Sequence, residues 1–223
     1  MIYSESEQKN IVDFWNNICI SHCPNCQGKG KVGEELCKCV VSANVSAALE
    51  LNGFGRKFLL GKLTNETLKQ KISNYLENFD QYLREGKGLF VFSLNNREKE
   101  LAMTILAKTV LAIENPLGLN DFNIKFFLYD DLVRLSYDDR SFTILEPIIK
   151  KTNILVIACL GEEVGRKTAG QSSLVLLKNI IRNRDMRGLP IWFTTKFSDL
   201  AIKGEYDQEI SDLLKQTTIT MSV

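Results

Sequence analysis

The sequence has no excess of either charge, no long apolar run and, in its most informative turn, no glycine. Its 28 basic and 27 acidic residues nearly cancel, so no global field draws the chain onto nucleic acid or an anionic membrane, and any nucleic-acid contact has to be a local patch. No apolar run approaches the roughly 18 residues of a membrane span, and the start, Met1-Ile2-Tyr3-Ser4-Glu5-Ser6-Glu7, lacks the basic and apolar regions of a signal peptide. The expectation is a soluble cytoplasmic chain with no membrane partner. Six cysteines are present, but four crowd into Cys23 to Cys39, which is metal-like spacing in a chain whose compartment keeps thiols reduced. Cys19 and Cys159 read as buried thiols.

At 223 residues there is room for one sizeable α/β core and a small module. Ile11, Val12, Phe14, Trp15, Ile18 and Cys19 recur at helical spacing, so residues 5–20 read as an amphipathic helix whose apolar face needs a partner. From Ala43 to Leu63 the pattern is mixed, with Gly53, Gly55 and Gly61 breaking any long element and Arg56, Lys57 and Lys62 close together. Leu68, Ile72, Tyr75, Leu76, Phe79, Tyr82 and Leu83 predict one helix over 64–85. Beyond it, helical patterns alternate with short runs at Leu89 to Phe92, Ile124 to Tyr129, Ile154 to Cys159, Ile191 to Thr195 and Thr217 to Met221. Four of the five are almost continuously apolar, as strands buried on both faces are, and the intervening helices suit parallel crossovers. The expected architecture is an α/β chain with a three-layer parallel-sheet core at 64–223, a connector at 53–63 and a small N-terminal zinc-binding module at 1–52.

Cys23-Pro24-Asn25-Cys26 opens the cysteine cluster, Gly28 and Gly30 give the backbone freedom to turn, and Cys37-Lys38-Cys39 closes it. Four thiolates can surround one metal, and zinc suits them because it accepts tetrahedral sulfur ligation. A full shell leaves no position for water, so the site is expected to be structural. His22, the only histidine, stands beside the first ligand and is an alternative fourth ligand or an outer neighbour. Lys29, Lys31 and Lys38 make one face basic, a surface for nucleic acid or a partner protein. Glu34 and Glu35 in the same loop offset them, which leaves a plain solvated surface as the other reading.

The strand at Gly88 runs into Ser93-Leu94-Asn95-Asn96-Arg97-Glu98-Lys99-Glu100. A phosphate-binding loop needs glycines that let backbone N–H groups converge, one lysine, and a Ser or Thr for magnesium. Only the lysine is present. A later strand ends in Ala158-Cys159, where a phosphate-processing enzyme carries acids.

These segments, in their order along nearly the whole chain, resemble the AAA+ helicase-loader family, the DnaC and IstB group. The resemblance rests on the cysteine knuckle, the helix before Gly88-Leu89-Phe90-Val91-Phe92, and Ile154-Leu155-Val156-Ile157 followed by Leu160-Gly161 and Glu163. It also includes Ile180-Ile181-Arg182-Asn183-Arg184 leading to Leu189-Pro190-Ile191-Trp192-Phe193-Thr194-Thr195. It implies an AAA+, P-loop-like core whose loop glycines fall on Ser93, Asn96 and Glu98, whose lysine is Lys99 and whose magnesium-binding residue falls on Glu100. The Walker B acids fall on Ala158 and Cys159, the sensor-1 residue on Lys196 and the arginine finger on Asp212, and the chain reaches Val223 before a sensor-2 segment or C-terminal lid. Glu98 and Glu100 in a phosphate pocket repel triphosphate by several kcal/mol at an effective dielectric of about 20.

The resemblance therefore implies a pseudo-ATPase that binds no nucleotide: a non-catalytic adaptor in DNA replication or recombination, docking a replicative helicase, a catalytic AAA+ paralogue or another nucleic-acid machine through its N-terminal helix and zinc module. Alternatives are a zinc-dependent single-stranded nucleic-acid binder using Lys29, Lys31, Lys38, Arg56 and Lys57, a co-opted regulatory subunit, or a divergent NTPase using Lys99 alone. Arg182 and Arg184 read either as DNA or partner contacts or, with Lys178 and Arg187, as the solvated face of a helix. Lys99 reads either as a surviving functional residue or as a local pair with its acidic neighbours on the first helical turn.

Overall fold

A computed structural model describes residues 3–161, 171–198 and 206–222. The chain divides into two compact units, one formed by Met1–Gly61 with Thr104–Ile124 and the other by Lys62–Met103 with Lys125–Val223. The division falls at Gly61, inside the expected connector, and it also assigns residues 104–124 to the N-terminal unit.

In the first unit, helix α1 (Glu5–Asn16) is opened by a capping box: Ser4 Oγ accepts from the Glu7 N–H, and the Glu7 carboxylate accepts from the Ser4 N–H. One π turn, Asn17–Ser21, continues it toward the cysteines. Helix α2 (Lys38–Leu51) follows, then the single turn α3 (Arg56–Leu59). The apolar face of α1 was expected to seek an outside partner. It packs instead on α2, with Ile11 and Trp15 buried. A polar clasp fixes the pair. Trp15 Nε1–H donates to Glu50 Oε2 at 2.7 Å, Arg56 Nη2 donates to Glu50 Oε1 at 2.6 Å, and the same guanidinium lies 3.9 Å from the centroid of the Phe14 ring. The stretch that looked mixed from Ala43 onward is the second half of α2. Its alanines and serines blur the apolar period but favour or tolerate helix and allow close packing.

In the second unit the expected helix over 64–85 is two, α4 (Glu66–Glu77) and α5 (Phe79–Arg84), because the backbone leaves helical geometry at Asn78 (φ −108°, ψ 10°). The strands are β3 (Gly88–Phe92), β4 (Ile124–Leu128), β5 (Ile154–Leu160), β6 (Ile191–Thr195) and β7 (Thr218–Ser222), in the order β4-β5-β6-β3-β7; β1 (Lys31–Val32) and β2 (Glu35–Leu36) belong to the cysteine knuckle. The β3–β6, β3–β7 and β5–β6 pairs are parallel. Successive residues of β6 face opposite layers, as strand geometry requires. Trp192 meets Tyr75 and Phe79, with ring centroids 6.1 and 6.5 Å away, and donates its N–H to the Tyr75 hydroxyl. Phe193 joins Tyr129, Leu155, Ile157, Leu177, Ile181 and Ile210 in the main apolar cluster. Leu155 and Ile157 lie on β5, and the others come from helices α7 (Tyr129–Ser136), α9 (Gln171–Asp185) and α10 (Gln208–Thr217); α6 (Asn96–Glu114) and α8 (Asp139–Lys151) complete the set. This is the expected three-layer sheet. Gly88 is obligatory in it, since a Cβ there would lie 1.8 Å from the Ile191 carbonyl oxygen across the β3–β6 ladder.

Arg184 overturns both of its expected roles. It is fully buried, and its guanidinium donates to the carbonyls of Ile149 (2.6 Å), Thr152 (2.9 Å), Asn153 (3.1 Å) and Pro190 (2.8 Å). The end of α8 and the entries to β5 and β6 are tied by one side chain. Burial pulls its pKa down to about 9, which leaves it protonated at neutral pH. Its neighbours on α9 are also engaged: Arg182 pairs with Glu209, and Lys178 bridges Asp207 and Glu209 at 2.5 and 2.6 Å. Arg184→Ala strands several buried acceptors at once, at about 1–3 kcal/mol for each one left unsatisfied. Urea unfolding should show a loss of at least about 3 kcal/mol; a loss under about 1 kcal/mol would contradict this role.

Candidate metal centre and nucleotide-site positions

Two turns and a hairpin gather the cysteines. Gln27 (φ 50°), Gly28 (φ 83°) and Gly30 (φ 70°) take the left-handed conformations that reverse the chain after Cys26. Strands β1 (Lys31–Val32) and β2 (Glu35–Leu36) then pair antiparallel and deliver Cys37 to the start of α2. Cys37 is the N-cap of that helix and Cys39 lies in its first turn. The four sulfurs lie within 4.8 Å of one another, with Cys23–Cys37 at 3.7 Å and Cys26–Cys39 at 3.5 Å. A tetrahedron with metal–sulfur bonds of about 2.3 Å has sulfur–sulfur edges of about 3.8 Å, so the cage fits a metal ion of zinc's size and ligand preference.

Outer contacts support the cage. The Gly30 N–H donates to Cys26 Sγ at 3.3 Å, and the Cys26 N–H draws the Cys23 thiol down to about 7. Burial, with the neighbouring sulfurs, drives the Cys39 thiol upward. A cation at the centre would relieve that opposition by favouring every thiolate. His22 stands outside the set: its ring is exposed and Nδ1 lies 3.1 Å from the Asn17 carbonyl oxygen. Lys29, Lys31 and Lys38 are exposed around the knuckle, and so are Glu34 and Glu35. Arg56 is held by Glu50, and Lys57 lies over the Phe58 ring at 4.7 Å.

The other candidate positions lie where β3 enters α6. Ser93 is buried, Leu94 is 84% exposed and Asn96 is exposed. The Asn95 side chain caps α6, its Oδ1 accepting from the N–H groups of Arg97 (3.0 Å) and Glu98 (3.4 Å), while its carbonyl accepts from Lys99 N–H at 3.3 Å. The N–H groups of Arg97, Glu98 and Lys99 at this helix start therefore have partners within the chain. Glu98 is half-buried. Lys99 is fully buried. Glu100, 7% exposed, accepts at Oε1 from the Thr194 hydroxyl at 2.7 Å, and Cys159 Sγ lies 3.8 Å from the same oxygen.

Ala158 is fully buried, and Cys159 adopts a left-handed φ of 61° where the β5–β6 register shifts between Ile157 and Leu160. Lys196 and Asp212 are exposed, the former near the Phe197 ring and the latter bonded to Gln208. Glu163 lies outside the described residues. Sequence reading missed Asn95 and Thr194. Asn95 with Glu98 three residues later has capping-box spacing, a usable signal. Thr194 reads only as one more β-branched strand residue.

No protein-family model matches the sequence, and no curated protein does. Solved structures do. DnaI superposes with a TM-score of 0.56 at 20% identity, covering 76% of this chain and 94% of that one. The DnaC helicase loader gives 0.55 at 20% identity, covering 73% and 92%. Domain III of the replication initiation protein DnaA from Thermotoga maritima gives 0.54 at 11%, covering 73% and 64%. The fold is the one shared by DnaI, the DnaC helicase loader and domain III of DnaA. At these identities the likeness is one of architecture and assigns no chemistry to any residue. No helix among the described residues is long and apolar enough to cross a membrane.

The cage predicts one equivalent of metal per chain by elemental analysis, lost in Cys26→Ser and Cys37→Ser. A folded, metal-free preparation of the unaltered chain would contradict it.

Proposed function

We propose that the chain is a non-catalytic relative of the helicase loaders, a pseudo-ATPase adaptor that docks a protein of a DNA replication or recombination machine. One observation carries this reading. At the turn where a loader-type ATPase would hold phosphate and magnesium, Asn95 occupies the helix-start amides and the Glu100 carboxylate turns into the core. A triphosphate would have to displace the cap and approach a buried carboxylate, and Ala158 and Cys159 offer no acid for metal or water. The ion of the cysteine cage is zinc in a structural role, ordering the knuckle from which α2 starts. A replicative helicase is the proposed partner because the DnaC neighbour is a helicase loader, with a catalytic AAA+ paralogue as the related option.

Calorimetric titration with ATP and magnesium should show no binding at millimolar nucleotide, and affinity capture from the native cell should return a replication protein. ATP turnover abolished by Lys99→Ala would replace this reading with a divergent NTPase.

The exposed Lys29, Lys31 and Lys38 favour a second reading, a single-stranded nucleic-acid contact at the knuckle. It predicts an affinity that falls steeply with salt, with a slope reduced by about one for each lysine replaced by alanine that contacts phosphate. Binding insensitive to salt would eliminate it.

A further inference from the structure

At the ends of β5 and β6 the chain closes a ring of hydrogen bonds on itself. The Cys159 N–H donates to Thr194 Oγ1 at 3.1 Å, the Thr194 hydroxyl donates to Glu100 Oε1 at 2.7 Å, and Cys159 Sγ reaches that same oxygen at 3.8 Å. The circuit joins the first turn of α6 to two strand ends. Thr194 is fully buried and Glu100 nearly so, so neither can exchange its partner for water without opening the core.

Two further features lie at the ring. Cys159 has a φ of 61°, a conformation that side-chain-bearing residues avoid, and the β5–β6 register slips across it, between Ile157 and Leu160. Strain of this kind persists only where surrounding bonds determine it.

We infer that the Glu100–Thr194–Cys159 ring is an internal lock that takes the place of a bound ligand, fixing this end of the sheet in one state. In a ligand-operated switch, strand-end and helix-start groups are satisfied when the ligand is present and released when it leaves. Here the chain supplies the donors and the acceptor itself. No ligand then has unequal affinity for two states of this end, and no population shift follows its addition. The inference rests on the adaptor reading above and extends it: the docking platform is permanently set.

The test is thermal unfolding and amide exchange of the full metal-loaded chain as the unaltered protein, Thr194→Val and Thr194→Ser, each with and without magnesium ATP. Valine keeps the shape and removes the hydroxyl, whereas serine keeps the hydroxyl. The lock predicts that Thr194→Val lowers Tm by about 5 °C or more and speeds exchange at the Cys159 amide at least about ten-fold. Thr194→Ser should stay within about 2 °C of the unaltered chain. A Thr194→Val chain that does not fold while Thr194→Ser does also supports it. Equal melting of the valine variant and the unaltered chain, or equal loss in valine and serine, overturns the lock and leaves the adaptor reading standing. A rise in the Tm of the unaltered chain on adding magnesium ATP overturns the adaptor reading and the lock together.

Discussion

A parallel sheet covered on both faces can admit charged side chains only where its strands begin and end, and the second unit is organised around that constraint. Along β6, Trp192 and Phe193 fill opposite layers. Buried Arg184 and buried Glu100 then serve the two ends. At the entries, Arg184 collects carbonyls that precede β5 and β6, together with those ending α8. At the exits, Glu100 collects a hydroxyl donor from β6 and lies beside the thiol at the end of β5. Burying a charged or polar group is tolerable only when fixed dipoles or hydrogen-bond partners replace its hydration, and Arg184 and Glu100 each find them in groups that close a layer boundary.

Much of this was legible in the sequence, and the limits of what was legible follow from the type of signal. Strands buried on both faces appear as near-continuous apolar runs, so their number and order along the chain could be read to within a residue or two. The cysteine spacing dictated a common cage before any geometry was known, because only a few backbone turns separate its members. Arg184 was misread for a physical reason: a charged residue beside Lys178, Arg182 and Arg187 looks like part of a solvated stripe, and nothing local says that it turns inward toward carbonyls 31 to 35 residues away. The apolar face of α1 was read as unpartnered because α2, rich in alanine and serine, carried too weak a period to be seen as its cover. The helix over 64–85 was read as continuous because apolar spacing persists through Asn78 although the backbone does not.

In the first unit the metal cage and α2 share residues, since Cys37 caps the helix and Cys39 sits in its opening turn. Thiolates gathered there complement the positive end of the helix dipole, and the far end of the same helix carries Glu50, which holds the indole N–H of Trp15. Fraying from the cage would therefore travel along one continuous element to a tryptophan. Trp15, buried beside a carboxylate, therefore stands where its emission would report a loosening of the cage at the opposite end of the helix that clasps it.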